Sequence, residues 1–295
     1  MHMEYSQISV IGAGPGGVAT SIQLKRLGYE PRLFEMDNMG GLLWNANLIE
    51  NYPGFPNGIS GPKLIYLLEK HLRKLDIRIT KLQIKRLEYM NAQYIMSSDA
   101  EIFISDFVVI ASGTKPKPIP FALSEKVRRK VHQDIKGILE QIEKHIIIIG
   151  CGDAAFDYAL NLSKRNRVTI LNRGSELKSL QLLADRAFSN NMITYMCDTD
   201  VQNIDLLPSN RGDINDSLLV QCTNSENIRF ALECDEIVLA IGRDPQLDFV
   251  DPLMSKDSCL LVGDVKNGIY RQASIAAGDG IKAAMKIHNQ ILMRR

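Results

Sequence analysis

The stretch Gln7-Ile8-Ser9-Val10-Ile11-Gly12-Ala13-Gly14-Pro15-Gly16-Gly17 decides the fold of this 295-residue chain. Its aliphatic half is typical of a buried parallel strand, and its glycines match the pattern of a dinucleotide-binding turn. Gly12 permits the tight turn, Gly14 lets the backbone approach a pyrophosphate, and Gly17 lets helix and strand pack closely. The helix predicted from Pro15 to about Leu27 directs its N-terminal amides at the phosphates.

The residues after this turn complete a nucleotide-binding unit. Gly28 is expected to end the helix, and Pro31-Arg32-Leu33-Phe34 is typical of the next strand. Glu35 follows the glycines by about twenty residues, where a carboxylate accepts hydrogen bonds from ribose hydroxyls. A surface turn with an unrelated glutamate is the alternative, but strand, helix and acid all stand in register.

A second glycine-rich turn lies in the middle of the chain. His145-Ile146-Ile147-Ile148-Ile149 is typical of a buried strand, Gly150-Cys151-Gly152-Asp153-Ala154-Ala155 supplies the turn, and a helix is predicted over 153–163. The next predicted strand is Arg167-Val168-Thr169-Ile170-Leu171. One such motif is weak evidence, because glycine clusters occur in ordinary turns. Two such units in one chain predict two nucleotide cofactors that exchange electrons.

The second unit differs from the first at the end of its second strand. Where the first unit has Glu35, the second has Asn172-Arg173, and Lys178 follows nearby. A carboxylate here would repel the 2′-phosphate of NADP, whereas arginine pairs with it. NADPH is therefore predicted in preference to NADH. Solvated surface charges at Arg173 and Lys178 are the alternative.

Two proline- or glycine-containing stretches mark predicted domain crossings, at 112–120 and at 242–245. Each follows an apolar strand, and the second glycine-rich turn lies between them. We therefore predict an α/β fold of two Rossmann-like, three-layer ββα dinucleotide-binding domains. Residues 1–115 and 245–295 form one domain, and residues 116–244 form the other, which is inserted into the first.

Composition excludes several classes of function. Thirty-five basic and thirty-four acidic residues leave a net charge of +1, so neither nucleic acid nor a membrane is a predicted partner. The basic run 126–130 is expected to be a solvated face, with a docking patch for a small acidic protein as the alternative. Five scattered cysteines without zinc-type spacing, and no signal peptide, predict a cytoplasmic protein without a metal site.

The last part of the chain carries a further motif. A short strand is predicted to end at Gly263-Asp264, and Ile269-Tyr270-Arg271-Gln272-Ala273 is expected to open a helix rich in small residues. Small residues on one helix face permit close approach of a flat group or of another backbone. The N-terminus of such a helix also stabilises negative charge.

With these residues assembled, the chain resembles the low-molecular-weight thioredoxin reductase family and its relatives, the thioredoxin-reductase-like ferredoxin–NADP reductases. The similarity covers almost the whole length. It is carried by the following segments in addition to the two glycine-rich turns: Gly40-Gly41-Leu42, Glu50-Asn51-Tyr52-Pro53-Gly54-Phe55-Pro56, Ser60-Gly61-Pro62, Ala111-Ser112-Gly113, Gly263-Asp264 and Tyr270-Arg271-Gln272-Ala273.

The resemblance implies FAD on the first turn, in domain 1–115 and 245–295, and NAD(P)H on the second, in domain 116–244. Glu35 would hold the FAD ribose, Asp264 a ribityl hydroxyl, and Asn51 would lie near the flavin. The predicted cofactor-binding residues in the outer parts of the chain are Gly12, Gly14, Pro15, Gly16, Gly17, Glu35, Gly41, Leu42, Asn51, Ala111, Gly113, Gly263, Asp264, Arg271, Gln272 and Ala273. Those in the middle are Gly150, Gly152, Asp153, Ala155, Asn172, Arg173, Lys178 and Gly242.

The chain departs from thioredoxin reductases at one decisive place. Those enzymes carry a Cys-x-x-Cys pair just before the first strand of the nucleotide domain, whereas 131–137 contains no cysteine here. Gly174 also replaces a second arginine that is common in the family. Dithiol exchange needs two sulfurs within bonding reach, one of them a nucleophilic thiolate.

These observations lead to one preferred function and two alternatives. The preferred one is an FAD-dependent NAD(P)H oxidoreductase that passes electrons to a ferredoxin-like carrier, although the C-terminal extension usual in the ferredoxin reductases is missing. The alternatives are an enzyme acting on a disulfide of another molecule and a nucleotide-binding sensor without turnover. Hydride transfer needs no protein nucleophile or base, so no catalytic side chain is predicted. By analogy with the family, the protein is expected to be a homodimer.

Overall fold

The computed structural model describes residues 2–207, 217–252, 254 and 257–294. The chain folds as two compact units. Unit 1 consists of Met1–Trp44, Leu48–Lys115 and Arg243–Arg295, and unit 2 of Asn45–Asn47 and Pro116–Gly242. Residues 1 and 295, the outer ends of the predicted first domain, lie outside the described residues.

The strands are named in chain order. They are β1 (His2–Tyr5), β2 (Ile8–Ile11), β3 (Arg32–Glu35), β4 (Ile79–Lys81), β5 (Arg86–Met90), β6 (Gln93–Ser97), β7 (Glu101–Ser105), β8 (Phe107–Ile110), β9 (Thr114–Pro116), β10 (Val131–His132), β11 (His145–Ile149), β12 (Arg167–Leu171), β13 (Ile193–Met196), β14 (Thr199–Leu207), β15 (Ser217–Asn224), β16 (Arg229–Cys234), β17 (Glu236–Leu239), β18 (Arg243–Pro245) and β19 (Cys259–Leu261).

The helices are named in the same way. They are α1 (Pro15–Arg26), α2 (Gly61–Lys74), α3 (Glu125–Arg128), α4 (Asp153–Leu162), α5 (Gln181–Phe188) and α6 (Ala273–Met293). Short 3₁₀ turns occupy Gly41–Asn45, Lys136–Ile138 and Gly263–Val265. No helix among the described residues is long and apolar enough to span a bilayer.

Unit 1 is built in three layers. Its central sheet is parallel, with the strand order β19-β8-β2-β3-β4, and a second sheet has the order β1-β7-β6-β5. Ile8 and Val10 of β2 point to the side where α1 and α6 pack, whereas Ile11 points to the second sheet. Both faces of the central sheet are covered, which explains why β2 and β8 are buried throughout.

Unit 2 repeats this arrangement. Its parallel sheet has the order β10-β17-β11-β12-β13, and the antiparallel sheet has the order β14-β15-β16. Ile146 and Ile148 pack with α4 and α5, whereas Ile147 packs with the antiparallel sheet. The isoleucine run therefore fills both faces of a central strand. The predicted α/β fold with two Rossmann-like units is confirmed.

The predicted bounds of most elements agree with the structure, and one prediction was wrong. Strands β11 and β12 begin and end where predicted, and α4 ends one residue earlier than expected. The helix expected to open at Ile269 begins at Ala273 instead. Ile269 and Tyr270 precede it and are 86% and 70% exposed.

His145, the first residue of β11, links three strands of unit 2. Its Nδ1 lies 2.6 Å from the carbonyl oxygen of Glu233, and its Nε2 lies 2.9 Å from Thr169 Oγ1. A carbonyl only accepts, so Nδ1 donates and Nε2 accepts from the threonine hydroxyl. Burial, followed by the nearby Arg167, lowers the pKa of His145. The folded state therefore holds this imidazole neutral.

We predict that His145 makes the fold less stable in acid. Below about pH 6.5 the unfolded chain binds a proton that the folded chain refuses, so stability is complete above this pH and falls below it. Urea unfolding midpoints between pH 7.5 and 5 should fall less steeply in His145→Gln than in the wild type. The slope difference should stay below about 1.4 kcal/mol per pH unit, the value for one proton.

The control for this prediction is His71→Gln, which changes an exposed histidine of α2. It should retain the wild-type pH dependence. If His145→Gln retained it as well, the neutral, doubly hydrogen-bonded imidazole would be the wrong explanation.

Candidate dinucleotide-binding sites

The first glycine-rich turn joins the ends of three strands in unit 1. Gly12 has a φ of +104°, and a Cβ on it would lie 2.4 Å from the carbonyl oxygen of Ala111. The Gly12 amide donates to the carbonyl of Phe34 at 2.8 Å. Only glycine therefore fits at this position, where the chain leaves β2 between β3 and β8.

The other glycines of this turn have two different surroundings. A Cβ on Gly17 would lie 1.8 Å from the carbonyl oxygen of Gly12, so α1 starts tightly against the turn that precedes it. A Cβ on Gly14 would meet no atom within 4 Å, whereas a Cβ on Gly41 would lie 3.9 Å from the Cα of Gly14. Pro15 and Gly16 then open α1. The space beside Gly14 and the helix amides fit a pyrophosphate.

Glu35 lies beside this turn, at the end of β3. One carboxylate oxygen accepts from the amide of Ala13 at 2.8 Å, and the other accepts from the amide of Asp37 at 3.0 Å. Each carboxylate oxygen has a further lone pair. The Glu35 side chain is therefore held in place and can still accept from two ribose hydroxyls.

Asp264 lies in the 3₁₀ turn after β19. Burial raises the pKa of its carboxyl group, and the positive charges of Arg271 and Arg243 partly oppose this. Its carboxylate has no hydrogen-bond partner among the described residues. A partly buried acceptor without a partner fits the hydroxyl of a bound ligand.

Asp279 of α6 holds this turn in place, a role that no local sequence pattern indicates. Its carboxylate accepts from the Gly263 amide at 3.1 Å, from Asn267 Nδ2 at 2.6 Å and from Lys266 Nζ at 3.3 Å. Burial raises the pKa of Asp279, but these hydrogen bonds outweigh burial and the net pKa is lowered. Asp279 therefore holds the backbone that carries Asp264.

The start of α6 brings two of the predicted residues together. Asn51 Nδ2 donates to Gln272 Oε1 at 2.8 Å, directly before Ala273 opens the helix. The small residues of α6 admit another backbone: a Cβ on Gly280 would lie 2.3 Å from the carbonyl oxygen of Gly16. The N-terminus of α6 is thereby packed close to the N-terminus of α1.

The remaining predicted residues of unit 1 lie around this centre. Arg271 donates to the carbonyl of Arg243 at 3.1 Å, and Arg243 in turn donates to Oγ1 and the carbonyl of Thr114. The carbonyl of Gly113 accepts from the Gln246 amide at 3.0 Å. Leu42 lies in the 3₁₀ turn that starts at Gly41. Arg271 therefore holds β18 and β9 as well as bordering Asp264.

The second glycine-rich turn, in unit 2, has the same design. Gly150 has a φ of +135°, and its Cβ would lie 2.3 Å from the carbonyl oxygen of Ala240. A Cβ on Gly152 would meet no atom within 4 Å. Asp153 and Ala155 lie in the first turn of α4, with Ala155 fully buried, and Gly242 follows the end of β17. The open side of Gly152 fits a second pyrophosphate.

The predicted phosphate-binding loop of unit 2 follows β12. Arg173 and Lys178 are exposed, whereas Asn172 is buried and hydrogen-bonds within unit 2. Lys178 pairs through its backbone with Gly152. The structure therefore brings this loop to the second glycine-rich turn, with its two cations facing solvent.

No cysteine occupies 131–137, and the structure gives this segment other roles. His132 Nε2 lies 2.7 Å from the carboxylate of Glu236. Burial raises the pKa of Cys222 to about 11 and that of Cys259 to about 12, and it also raises the pKa of Cys234. These three thiols are therefore protonated near neutral pH. Cys197 is exposed and Cys151 is partly exposed.

The two glycine-rich turns, each on its own Rossmann-like unit, define a two-nucleotide oxidoreductase. A family model described as pyridine nucleotide-disulphide oxidoreductase matches residues 6–280, and the chain belongs to this family. It is an FAD-dependent NAD(P)H oxidoreductase of the low-molecular-weight thioredoxin reductase type. The cofactors of this type are FAD and NADPH. The first glycine-rich turn fits FAD, and the second fits NADPH.

The similarity extends from end to end of the chain. Thioredoxin reductase of Chlamydia pneumoniae is 28% identical over 96% of this chain and 98% of the relative. Thioredoxin reductase of Rickettsia conorii is 25% identical over 95% and 96%. The structures of the Lactococcus lactis and T. acidophilum thioredoxin reductases share the fold, with TM-scores of 0.88 and 0.87 at 24% and 20% identity; each covers 98% of this chain and 99% of the other.

We predict that Gly14→Ala loses FAD without losing the fold. The φ of Gly14 is −74° and space surrounds it, so alanine is tolerated by the protein, but its methyl group occupies the space left for the pyrophosphate. The ratio of flavin to protein absorbance after purification should fall, while circular dichroism stays that of the wild type.

The matched change is Gly17→Ala, which should destabilise the fold itself by about 1–3 kcal/mol or more because of overpacking. A Gly14→Ala variant with full flavin content would contradict the assignment of this turn. Equal unfolding midpoints for Gly17→Ala and the wild type would contradict the close packing.

We also predict that Asp279→Ala weakens FAD binding. Removing an acceptor of three hydrogen bonds frees the turn that carries Asp264, and the dissociation constant should rise about tenfold. Titration of the apoprotein with FAD, followed by quenching of flavin fluorescence, measures this change. Asp99→Ala, which removes a surface ion pair with Lys85, is the control and should bind FAD normally. Wild-type affinity in Asp279→Ala would refute the role given to this carboxylate.

Proposed function

We propose that this chain uses NADPH to reduce a disulfide on a separate molecule. The observation that carries the proposal is similarity over the full length to enzymes named thioredoxin reductase, in a chain without a cysteine pair at 131–137. The reaction balances as NADPH, one proton and one disulfide giving NADP⁺ and two thiols. Bound FAD supplies the two-electron carrier between nicotinamide and disulfide.

The chain's own residues bind and orient the cofactors. The backbone amides at Gly14 and the N-terminus of α1 would donate to the FAD pyrophosphate, Glu35 would accept from its ribose, and Asp264 would accept from its ribityl chain. The backbone amides at Gly152 and the N-terminus of α4 would donate to the pyrophosphate of the nicotinamide dinucleotide. Hydride transfer needs no protein base, so we assign no catalytic side chain.

The burial and placement of the cysteines favour an acceptor disulfide that belongs to another molecule. Cys222, Cys234 and Cys259 are held as thiols by burial, and a thiol is a poor nucleophile. Cys151 follows β11 and Cys197 follows β13. Because β12 lies between these two strands in the sheet, the two cysteines do not follow adjacent strands. We therefore infer that the substrate's own disulfide accepts the electrons. Thioredoxin is the acceptor that the names of the relatives indicate.

A one-electron carrier such as ferredoxin is the second candidate acceptor. The missing cysteine pair favours it, because flavin reduces such carriers without a thiol. In the basic run at 126–130, three of the four cations have hydrogen-bond partners but only one partner is a carboxylate, so the run keeps a net positive charge for docking an acidic carrier. Arg128 donates to the carbonyl of Val131, Arg129 pairs with Glu125, and Lys130 donates to the carbonyl of Asp235.

We predict that oxidised thioredoxin supports NADPH oxidation by this protein and that ferredoxin does not. Steady-state rates with thioredoxin, a small-molecule disulfide and ferredoxin, measured without oxygen, distinguish the acceptors. The double variant Cys151→Ser/Cys197→Ser removes the partly exposed cysteine that follows β11 and the exposed cysteine that follows β13. It should retain the wild-type rate with the disulfide acceptor.

Each other outcome identifies an alternative. Reduction of ferredoxin alone would replace the proposal with the second candidate. Loss of disulfide reduction in the double variant would place a thiol of this chain in the electron route. Flavin that NADPH fails to reduce would indicate a nucleotide-binding sensor.

Homodimerisation and a cytoplasmic location remain predictions.

A further inference from the structure

The loop 173–178 of unit 2 carries both cations predicted to bind the 2′-phosphate of NADPH. The side chains of Arg173 and Lys178 are exposed, and both have long flexible stems. A flexible cation discriminates a phosphate well only when its backbone is fixed, because ordering the loop on binding costs affinity. What holds this loop therefore affects nucleotide selectivity.

Asn172 supplies a hydrogen-bonded anchor at the start of the loop. Its side-chain Nδ2 donates to the carbonyl of Glu176 at 3.0 Å and to the Tyr195 hydroxyl at 2.9 Å. Its Oδ1 accepts from the Gly174 amide at 3.2 Å. Both amide protons are therefore used inside the protein, and the residue is 5% exposed. Asn172 is placed to shape the loop rather than to touch the nucleotide.

Tyr195 gives this anchor a rigid partner. Its ring packs against Phe156 of α4 and Phe188 of α5, with centroids 5.9 Å and 5.4 Å away. Burial raises the pKa of Tyr195, with Asn172 opposing the shift and Cys151, Cys197 and Asp198 adding to it. The hydroxyl is therefore neutral and accepts from Asn172 throughout the physiological range.

The loop is held at three further points. The Asp198 amide donates to the carbonyl of Gly174 at 3.1 Å, and Lys178 pairs through its backbone with Gly152. The amide of Leu180 donates to the Asp153 carboxylate at 2.8 Å. The loop backbone thus connects the end of β12 to the second glycine-rich turn. Three acidic residues, Asp153, Glu176 and Asp198, lie in or beside this loop.

We propose that Asn172 is a positioning residue that holds Arg173 and Lys178 toward the 2′-phosphate and so sets the preference for NADPH over NADH. The inference rests on the NADPH use in the proposed function, but it does not depend on the electron acceptor. Removal of Asn172 frees the amide of Gly174 and the carbonyl of Glu176 from their shared partner. The segment from Arg173 to Glu176 then loses two of its anchors and becomes less ordered, while the glycine-rich turn keeps its conformation.

The test measures nucleotide binding and needs no turnover. Calorimetric dissociation constants for adenosine 2′,5′-bisphosphate and for 5′-AMP are compared in the FAD-loaded protein. Asn172→Ala should raise the constant for the bisphosphate about tenfold, because two of the three side-chain hydrogen bonds of Asn172 hold the loop, and leave that for AMP unchanged. Added to Arg173→Ala/Lys178→Ala, it should have no further effect, because the groups it positions are gone.

Tyr195→Phe is the milder second variant. It removes one acceptor and keeps the bonds to Glu176 and Gly174, so the bisphosphate constant should rise less than in Asn172→Ala. Equal weakening of both nucleotides in Asn172→Ala, or unchanged binding of both, would overturn the inference. So would a further loss on top of the double cation variant. A wild type that binds neither nucleotide would overturn it together with NADPH use, whereas a failed disulfide assay would leave it standing.

Discussion

The packing of a glycine against the carbonyl oxygen of a neighbouring strand is the constraint on which both units depend. Gly12 meets Ala111 and Gly150 meets Ala240, and in both cases a Cβ would lie within 2.4 Å of that oxygen. Because no side chain fits, the chain turns sharply at the carboxyl end of the central strand and begins a helix at once. The helix N-terminus then faces the edge of the parallel sheet where ligands bind.

The polar groups around the two glycine-rich turns are of two kinds. Those without a side-chain partner among the described residues, such as the partly buried carboxylate of Asp264 and the exposed side chains of Arg173 and Lys178, can bind a ligand. Others are hydrogen-bonded within the protein: Asp279 accepts three hydrogen bonds, and the side-chain amide of Asn172 donates two. The second group holds the backbone of the first, which makes the binding sites rigid before a cofactor arrives.

Local pattern was enough to predict both nucleotide units. Strand β11, the glycine-rich turn after it and strand β12 were predicted with their observed bounds, because each depends on neighbours in sequence. The start of α6 was predicted wrong, since the apolar residues Ile269 and Tyr270 are exposed and lie outside the helix. Asp279 gave no signal at all, because a single acid in a helix is ordinary until the turn it contacts is known.

The sequence by itself determined the α/β class, the two glycine-rich turns and the absence of a cysteine pair at 131–137. Each of these is a property of residue type and short spacing. Only the tertiary structure decided the partners of the polar side chains. Asn172 reaches Tyr195 across 23 residues, Asp279 reaches Gly263 across 16, and His132 reaches Glu236 across 104. Such pairs form because folding buries both groups together, and a buried polar group without a partner costs about 1–3 kcal/mol.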